Sequence, residues 1–404
     1  MQKITDKAQV SRMIFLFMVT YLVSYITRIN YGAVIAEMTK AEHIKNSLAS
    51  LALTGSAVTY GTGQLVSGYL GDRIQPKHLV FAGLLTTTAT NLLLPICSSV
   101  YQMTFLWCIN GFAQAFMWPP LVRLMTSLFT KDAYGRACVV VSWGSSFGTV
   151  LVYLLSPACI FIGGWRLVFY VSGACALVMA LVWRFKCPLI EKVESEKEVH
   201  KEETTQMQGG DTLLLLFGIM AAIVLQGMLR DGVTTWTPSM LSDVFYLSSS
   251  TAILTGVVLP LFSVAAFQIA SVIYRKFVHN ELKLAGLIFA VGFASAVLLA
   301  FFGNKNAAFS VAAAALLTGC MHGVNLTLIC MVPQHFEGKG RVSFVSGMLN
   351  SCTYVGSAVS VYGFARFSEY FGWTGTIWLW SIISLLGALL CFSLYKKWNT
   401  FTEK

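Results

Sequence analysis

Charged side chains are scarce in this chain of 404 residues, since only 11% of the residues are Asp, Glu, Lys or Arg. A soluble domain usually carries about a quarter charged residues, and a surface as apolar as this one would not stay in water. The composition therefore excludes a soluble enzyme, a disordered chain and a secreted disulfide scaffold. It predicts an integral membrane protein.

Several chemical signatures are also missing. No G-x4-G-K-[ST] loop is present, so nothing in the sequence indicates ATP hydrolysis. The ten cysteines form no C-x-x-C pair and the six histidines form no cluster, so we expect neither a metal site nor a cofactor. No nucleophile and base stand out as a pair, and we expect no enzymatic activity.

Long apolar runs fill most of the chain. We count about twelve that approach or exceed the roughly 20 residues that a helix needs to cross a bilayer. The predicted spans are 11–37, 47–71, 78–96, 101–129, 134–162, 165–184, 212–238, 248–273, 282–302, 307–333, 341–367 and 373–397. The predicted fold is therefore all-α, with multiple passes through the lipid bilayer.

The 28 lysines and arginines are distributed unevenly between the two sides of these spans. Most fall on the side that also holds both termini. By the positive-inside rule this side is cytoplasmic, so both termini are predicted to lie in the cytoplasm. The net charge of +10 thus reports membrane topology, and we expect no nucleic-acid partner.

One segment has the composition of a soluble linker. Residues 185–211 are rich in Glu and Lys and lie at mid-chain. We therefore predict two membrane domains, residues 1–184 and 212–404, with this charged cytoplasmic linker between them.

The two halves repeat each other. Arg28 and Arg230 are 202 residues apart, and Arg73 and Arg275 have the same separation. An offset of half the chain between matching helices indicates duplication of a six-helix unit. Two such halves are typical of the major facilitator architecture, in which the substrate site lies between the halves near the midplane.

The sequence G-Y-L-G-D-R-I-Q-P-K at residues 68–77 resembles the major facilitator loop G-x-L-x-D-R-x-G-R-K. The resemblance implies a gating and structural role, which we assign to Gly68, Asp72, Arg73 and Lys77. Arg123, in the fourth span, is a candidate partner of Asp72. This loop does not identify a substrate.

A closer resemblance covers nearly the whole chain. The matching motifs are Tyr21-x3-Tyr25-x2-Arg28-x-Asn30, Asn110-Gly111, Trp118-Pro119-Pro120 with Arg123, Leu229-Arg230-x5-Trp236-x-Pro238, Tyr354-x-Gly356 and Phe371-Gly372-Trp373-x-Gly375. In order and spacing they are similar to the organophosphate:phosphate antiporter family, which includes the bacterial glycerol-phosphate and hexose-phosphate transporters. The resemblance implies that Arg28 and Arg230 grip the phosphate of a substrate.

The physical chemistry of arginine supports the same two positions. An arginine inside a bilayer costs about 2.5–3.5 kcal/mol on insertion scales, so it usually faces a cavity or a partner. A guanidinium group can donate two parallel charge-assisted hydrogen bonds to a phosphate. Two alternatives remain open: both arginines could reach the outer interface, or Asp231 could neutralise Arg230.

Further candidate binding residues come from the resemblance. Tyr21 and Tyr25 lie a turn apart on the Arg28 face of the first span, Tyr60 and Tyr354 match cavity positions of the family, and His322 stands where members often have tyrosine. Each could equally be a packing residue.

The chain also departs from the best-known family members. Gln64 replaces a lysine in the second span, Ser145 replaces a histidine in the fifth, and Ile29 stands where some members have lysine after the first arginine. We assign Gln64 and Ser145 to the site. These changes leave the substrate and the exchange partner open.

The leading hypothesis is a monomeric secondary transporter of the bacterial inner membrane that moves a small organic anion by alternating access. A phosphate ester is the expected substrate, exchanged for inorganic phosphate or another anion. One alternative is a proton-coupled symporter of a carboxylate or other anion, with Asp231 or His322 as the titrating group. Another is a sensor that binds a sugar phosphate without transporting it.

Overall fold

The computed structural model describes residues 3–190, 210–246 and 249–402. Its helices within those ranges are α1 (Lys7–Ala41), α2 (Asn46–Gly71), α3 (Pro76–Leu93), α4 (Val100–Gln114), α5 (Trp118–Leu128), α6 (Lys131–Lys186), α7 (Gly210–Phe245), α8 (Ser249–Lys276), α9 (Glu281–Phe302), α10 (Ala307–Val324) and α11 (Val342–Thr402). The chain between α10 and α11 continues as a π-helical stretch, Asn325–Met331, and a 3-10 stretch, Val332–Lys339. The predicted spans coincide with one of these helices, with part of one, or with two consecutive ones, and the spans 78–96 and 307–333 also extend into the 3-10 and π-helical stretches that follow α3 and α10. Most of the predicted linker, from residue 191 to 209, lies outside the described residues.

Two of the helices are broken at glycine. In α6 the helical conformation is lost at Gly163 and Gly164, and Gly164 has φ 72°. In α11 it is lost at Gly372, where φ is 67°. Only glycine adopts such angles at little cost, so each break ends one predicted span and starts the next. Among the described residues, seven stretches are long and apolar enough to cross a membrane, and these two broken helices are among them.

The chain forms two compact units. Unit 1 contains Met1–Glu194 together with Phe336–Ser351, and unit 2 contains Ser195–His335 together with Cys352–Lys404. The first part of α11 therefore packs with the N-terminal helices, while its remainder packs with α7–α10. The predicted division at residues 185–211 remains a prediction.

The internal repeat extends to helix packing. In unit 1, Gly148 of α6 faces the carbonyl oxygen of Leu22 in α1, which a Cβ atom on the glycine would approach to 2.6 Å. In unit 2, Gly356 of α11 faces the carbonyl oxygen of Val224 in α7 at an equivalent 2.1 Å. Leu22 and Val224 are again 202 residues apart. Both crossings depend on the small residue, as is common between membrane helices.

Replacing Gly356 with alanine tests this packing. We expect Gly356→Ala to lower the stability of the purified protein by about 1–3 kcal/mol, because the added methyl group overlaps the backbone of α7. Thermal unfolding in detergent measures the change. Gly363→Ala is the matched control, since a Cβ atom at that position of the same helix meets nothing within 4 Å. Equal melting temperatures for the two variants would contradict the close crossing.

Candidate functional site

Arg28 lies between two aromatic rings in unit 1. Its guanidinium carbon is 4.1 Å from the ring centroid of Tyr25 and 4.7 Å from that of Tyr60 on α2. Tyr60 is buried, and Tyr21 continues the aromatic cluster with its ring 5.2 Å from that of Tyr25. A cation over the face of a tyrosine is attracted by the electron-rich ring, and the attraction strengthens where water is excluded. The fold thus brings together four predicted site residues: Tyr21, Tyr25, Arg28 and Tyr60.

The residue before Arg28 is fixed by buried amides. The carbonyl oxygen of Thr27 accepts hydrogen bonds from Asn110 at 3.0 Å and from Asn91 at 3.4 Å. The Thr27 hydroxyl oxygen accepts another from Gln114 at 2.8 Å. These donors lie on α3 and α4, so the polar side chains of two helices fix the rotation of α1 at this depth. Because neighbouring helical residues point about 100° apart, this anchor also sets the direction of Arg28.

Gln64 lies one helical turn beyond Tyr60 on α2. It is completely buried, and neither its amide nitrogen nor its amide oxygen has a hydrogen-bond partner among the described residues. An unpartnered buried polar group is expensive, and such a group in a native protein needs an explanation. Ser145 on α6 instead bonds its own helix, donating to the carbonyl oxygen of Ser142 at 2.6 Å.

In unit 2, Arg230 is engaged by the neighbouring carboxylate. Its Nε donates to Asp231 Oδ1 at 2.6 Å, and its Nη2 donates to Oδ2 at 2.8 Å. Two parallel bonds of this kind are the geometry with which a guanidinium group holds an oxyanion. The alternative that Asp231 neutralises Arg230 is thus the arrangement in this structure.

Two more side chains, Ser357 and His322, lie close to this ion pair. The Asp231 carboxylate is within hydrogen-bonding reach of Ser357, and His322 is close enough to interact electrostatically with both members of the pair. The His322 ring lies 5.4 Å from that of Phe267. Tyr354 lies one turn before Ser357 on α11.

Sequence reasoning missed some of these neighbours. Ser357 could have been found from its position one turn after Tyr354. Gln226 is one turn before Arg230, is fully buried, and donates to the carbonyl oxygen of Met321. Phe267 carries no signal in the sequence, because an apolar residue in an apolar helix does not stand out.

The loop that follows α2 caps α11 within unit 1. The Asp72 carboxylate accepts hydrogen bonds from the backbone N–H groups of Ser343 and Phe344, both at 2.8 Å. These N–H groups lie in the first turn of α11, which has no intrahelical acceptors for them. Gly68 lies at the closest approach of α2 to α11, since a Cβ atom there would come within 2.7 Å of the Ser343 carbonyl oxygen.

The basic residues of this loop bond mainly to backbone and ring groups. Arg123 donates to the carbonyl oxygen of Gly71, and Arg73 lies over the ring of Tyr69 at 3.5 Å. Lys77 is buried at the start of α3, where its carbonyl oxygen accepts a hydrogen bond from Trp183 at 3.0 Å.

The profile of the Major Facilitator Superfamily matches residues 17–361. The chain belongs to this superfamily. Its members are multi-pass membrane transporters and not enzymes, which confirms the predicted fold class and the predicted absence of enzymatic activity.

Curated relatives of this superfamily member include organophosphate proteins. A probable hexose phosphate transport protein of Chlamydia trachomatis is 30% identical over 168 residues, which are 39% of this chain and 37% of that protein. The chain thus aligns with little more than a third of that relative's length. A probable hexose phosphate transport protein of Chlamydia pneumoniae is 24% identical over 97% of this chain and 92% of its own. The membrane sensor protein UhpC of Salmonella typhimurium is 23% identical over 92% of this chain and 88% of its own. These similarities confirm the family resemblance inferred from the motifs.

Solved structures agree on the fold. The proton:xylose symporter XylE bound to 6-bromo-6-deoxy-D-glucose superposes with a TM-score of 0.78 over 96% of each chain, at 12% sequence identity. At this identity the similarity concerns the fold alone. The site residues of this superfamily member remain predictions.

The cap on α11 can be tested by substitution. We expect Asp72→Ala to destabilise the protein by about 1–3 kcal/mol, because two first-turn N–H groups lose a charged acceptor. Thermal unfolding of the purified protein measures the change. Asp132→Ala is the control, since Asp132 is exposed in the first turn of α6. If the two variants were equally stable, the cap would contribute nothing.

Proposed function

We propose that this protein is a secondary transporter that moves a phosphate ester across the bacterial inner membrane, with both termini in the cytoplasm. The observation that carries the proposal is the pair of arginines at repeated positions, each held by groups that an oxyanion could join or displace. Arg28 rests on two tyrosine rings, and a guanidinium group is suited to two-point binding of a phosphate. Arg230 already holds a carboxylate in two-point geometry.

The relatives support the chemical class of the substrate. The similar proteins of Chlamydia carry the name of hexose phosphate transport proteins, and a glycerol-3-phosphate transporter of Bacillus subtilis is also similar. The shared chemical group of these substrates is the phosphate ester, which is what two arginines recognise. The identity of the sugar or polyol is left to side chains such as Gln64.

Alternating access and anion exchange follow from the charge of the site. Arg28, Arg230 and Asp231 together carry a net positive charge, and such a charge is costly to enclose in an apolar bundle. A bound anion removes that cost, so the halves exchange conformations readily when the site is loaded. Each uncompensated charge that crosses the membrane also couples to the potential at about 2.3 kcal/mol per 100 mV. Exchange of one anion for another avoids this coupling.

The arginines provide the first test. In proteoliposomes that contain internal phosphate, we expect wild-type protein to take up labelled glucose 6-phosphate or glycerol 3-phosphate. We expect Arg28→Ala and Arg230→Ala to lower kcat/KM for uptake at least about tenfold, because each loses charge-assisted hydrogen bonds to the phosphate. Arg12→Ala is the control, since Arg12 is exposed near the start of α1. The absence of uptake for every ester in the panel, or unchanged uptake by both variants, would defeat the proposal.

Two substitutions of Tyr60 test the contribution of its ring separately from that of its hydroxyl group. We expect Tyr60→Phe to retain uptake within about threefold, because the ring still faces Arg28, and Tyr60→Leu to lose considerably more. The KM for the ester in the same proteoliposomes measures the difference. Equal losses in both variants would instead assign the contribution of Tyr60 to its hydroxyl group.

The Arg230–Asp231 pair favours proton-coupled symport as a second candidate. A phosphate that displaces Asp231 from the guanidinium group leaves a carboxylate without its counterion, and uptake of a proton would neutralise it. Under this mechanism a pH gradient drives accumulation without internal anion, and Asp231→Asn abolishes that accumulation while keeping exchange. A strict need for internal anion would exclude it.

The similarity to the sensor protein adds a third outcome to the same assay. A receptor binds its ligand without moving it across the membrane. Any uptake into the vesicle lumen therefore excludes a sensor that does not transport.

A further inference from the structure

A buried carboxylate lies outside the arginine sites, at the basic end of unit 2. Glu281, the first residue of α9, is only 2% exposed. Its Oε1 accepts a hydrogen bond from the Tyr274 hydroxyl group at 2.7 Å and lies 2.7 Å from His335 Nε2. Its Oε2 accepts a hydrogen bond from Trp398 Nε1 at 2.8 Å. Four segments meet at this one side chain: the end of α8, the start of α9, the 3-10 stretch after α10, and the end of α11.

The internal repeat shows that packing alone does not require an ionisable group here. In unit 1, Trp183 near the end of α6 donates its Nε1 hydrogen bond to the carbonyl oxygen of Lys77 at the start of α3. In unit 2, Trp398 and the start of α9 make the equivalent contact, but the acceptor is the Glu281 side chain. In the first half the indole donor bonds to a backbone carbonyl group, and the Lys77 side chain, although buried, does not accept it. In the second half the acceptor is itself a buried carboxylate, which is the costlier solution and typical of a functional site in a membrane protein.

His335 makes this site capable of holding a proton. With the imidazole protonated, the Glu281–His335 pair carries no net charge. With the imidazole neutral, a buried carboxylate remains negative, supported only by neutral donors. Histidine is the side chain that ordinarily changes charge between about pH 5 and pH 8. Its side chain is 14% exposed against 2% for Glu281, so the proton has a path to water.

The other charged and titratable groups nearby are exposed or have another partner. Tyr274 on α8 faces Glu281 directly. On the packed elements and the adjoining loop, Arg275, His279, Lys283, Lys396 and Lys397 are exposed. Glu337, two residues after His335, pairs with Lys3 at 2.9 Å in unit 1.

His335 lies at the point where the chain passes from unit 2 to unit 1. It is the last residue of its stretch that belongs to unit 2, and Phe336–Ser351 belong to unit 1. The hydrogen bond to Glu281 is therefore an anchor of the 3-10 stretch Val332–Lys339 on unit 2 just before the chain leaves that unit.

We propose that Glu281 and His335 form a proton-binding site, separate from the two arginines, that fastens the unit 2 part of the 3-10 stretch, residues 332–335, to the start of α9 when protonated and loosens it when deprotonated. The transport cycle then depends on pH through this site. Asp231 and the arginines are not needed for it, so the proposal does not rest on the identity of the substrate.

Tryptophan fluorescence tests the site without any substrate. The Trp398 ring lies 5.2 Å from that of His335, and a protonated imidazole in contact with indole quenches its emission. Full-length protein in nanodiscs is titrated between about pH 5 and pH 9, and the signal of Trp398→Phe is subtracted. We expect a quenching transition in the wild type and none in His335→Gln. For Glu281→Gln we expect the transition at more acidic pH by about one unit or more, because the carboxylate that stabilises the protonated imidazole is gone. An unchanged transition in His335→Gln would overturn the proposal.

Tyr274→Phe keeps the test decisive if Glu281→Gln does not fold. It removes one hydroxyl group from the same carboxylate oxygen, which leaves His335 as the remaining side-chain partner of Oε1. The transition should then move to more alkaline pH. A midpoint unmoved by Tyr274→Phe, with Glu281→Gln unfolded or equally unmoved, would overturn the proposal.

Transport provides the second readout. In proteoliposomes with equal pH on both sides, the wild-type exchange rate should change at least about threefold between pH 6 and pH 8, and that of His335→Gln should be flat. The KM for the ester should be the same in both. A wild-type rate independent of pH, or an equal pH dependence in His335→Gln, would overturn the coupling to transport. Absence of uptake at every pH would count against the proposed function, while the fluorescence titration would still decide the proton site.

Discussion

Every ionisable side chain that is buried or half-buried in these helical bundles has to be matched by its surroundings, because the apolar interior offers it little water. The structure meets this requirement in three ways. Arg28 rests on the faces of two tyrosine rings, Arg230 is held by a carboxylate, and Glu281 accepts hydrogen bonds from donors on other segments. The helix contacts around each of these groups serve to keep its partners in place. Function and packing are therefore difficult to separate in this protein.

The two halves share a backbone arrangement, but the arginine of each half has different neighbours. The crossing of α1 on α6 at Gly148 is repeated by the crossing of α7 on α11 at Gly356. On that common backbone, the arginine of the first half meets aromatic rings and the arginine of the second half meets Asp231. The same backbone arrangement therefore holds an arginine in two different chemical environments.

One face of α2 links the candidate site to the contact that closes unit 1. Tyr60 faces Arg28, Gln64 follows one turn later with an amide that has no partner in the described part of the chain, and Gly68 meets α11 a further turn along. Asp72 ends the series by capping the first turn of α11. The buried amide of Gln64 lies between the two ends of this series.

The sequence by itself determined the class of this protein, its repeat and its family. The evidence for these is local or periodic and can be recognised without a structure. It consists of apolar runs of membrane length, the 202-residue offset of Arg28 and Arg230, and the loop at residues 68–77. Only the tertiary structure decided which groups meet. Asp231 could have pointed away from Arg230, Asp72 bonds to an N–H group 271 residues away, and Glu281 meets His335 across 54 residues. The physical reason is that composition and spacing record which surface faces lipid, whereas pairing between helices depends on the rotation and crossing of each helix, which packing sets.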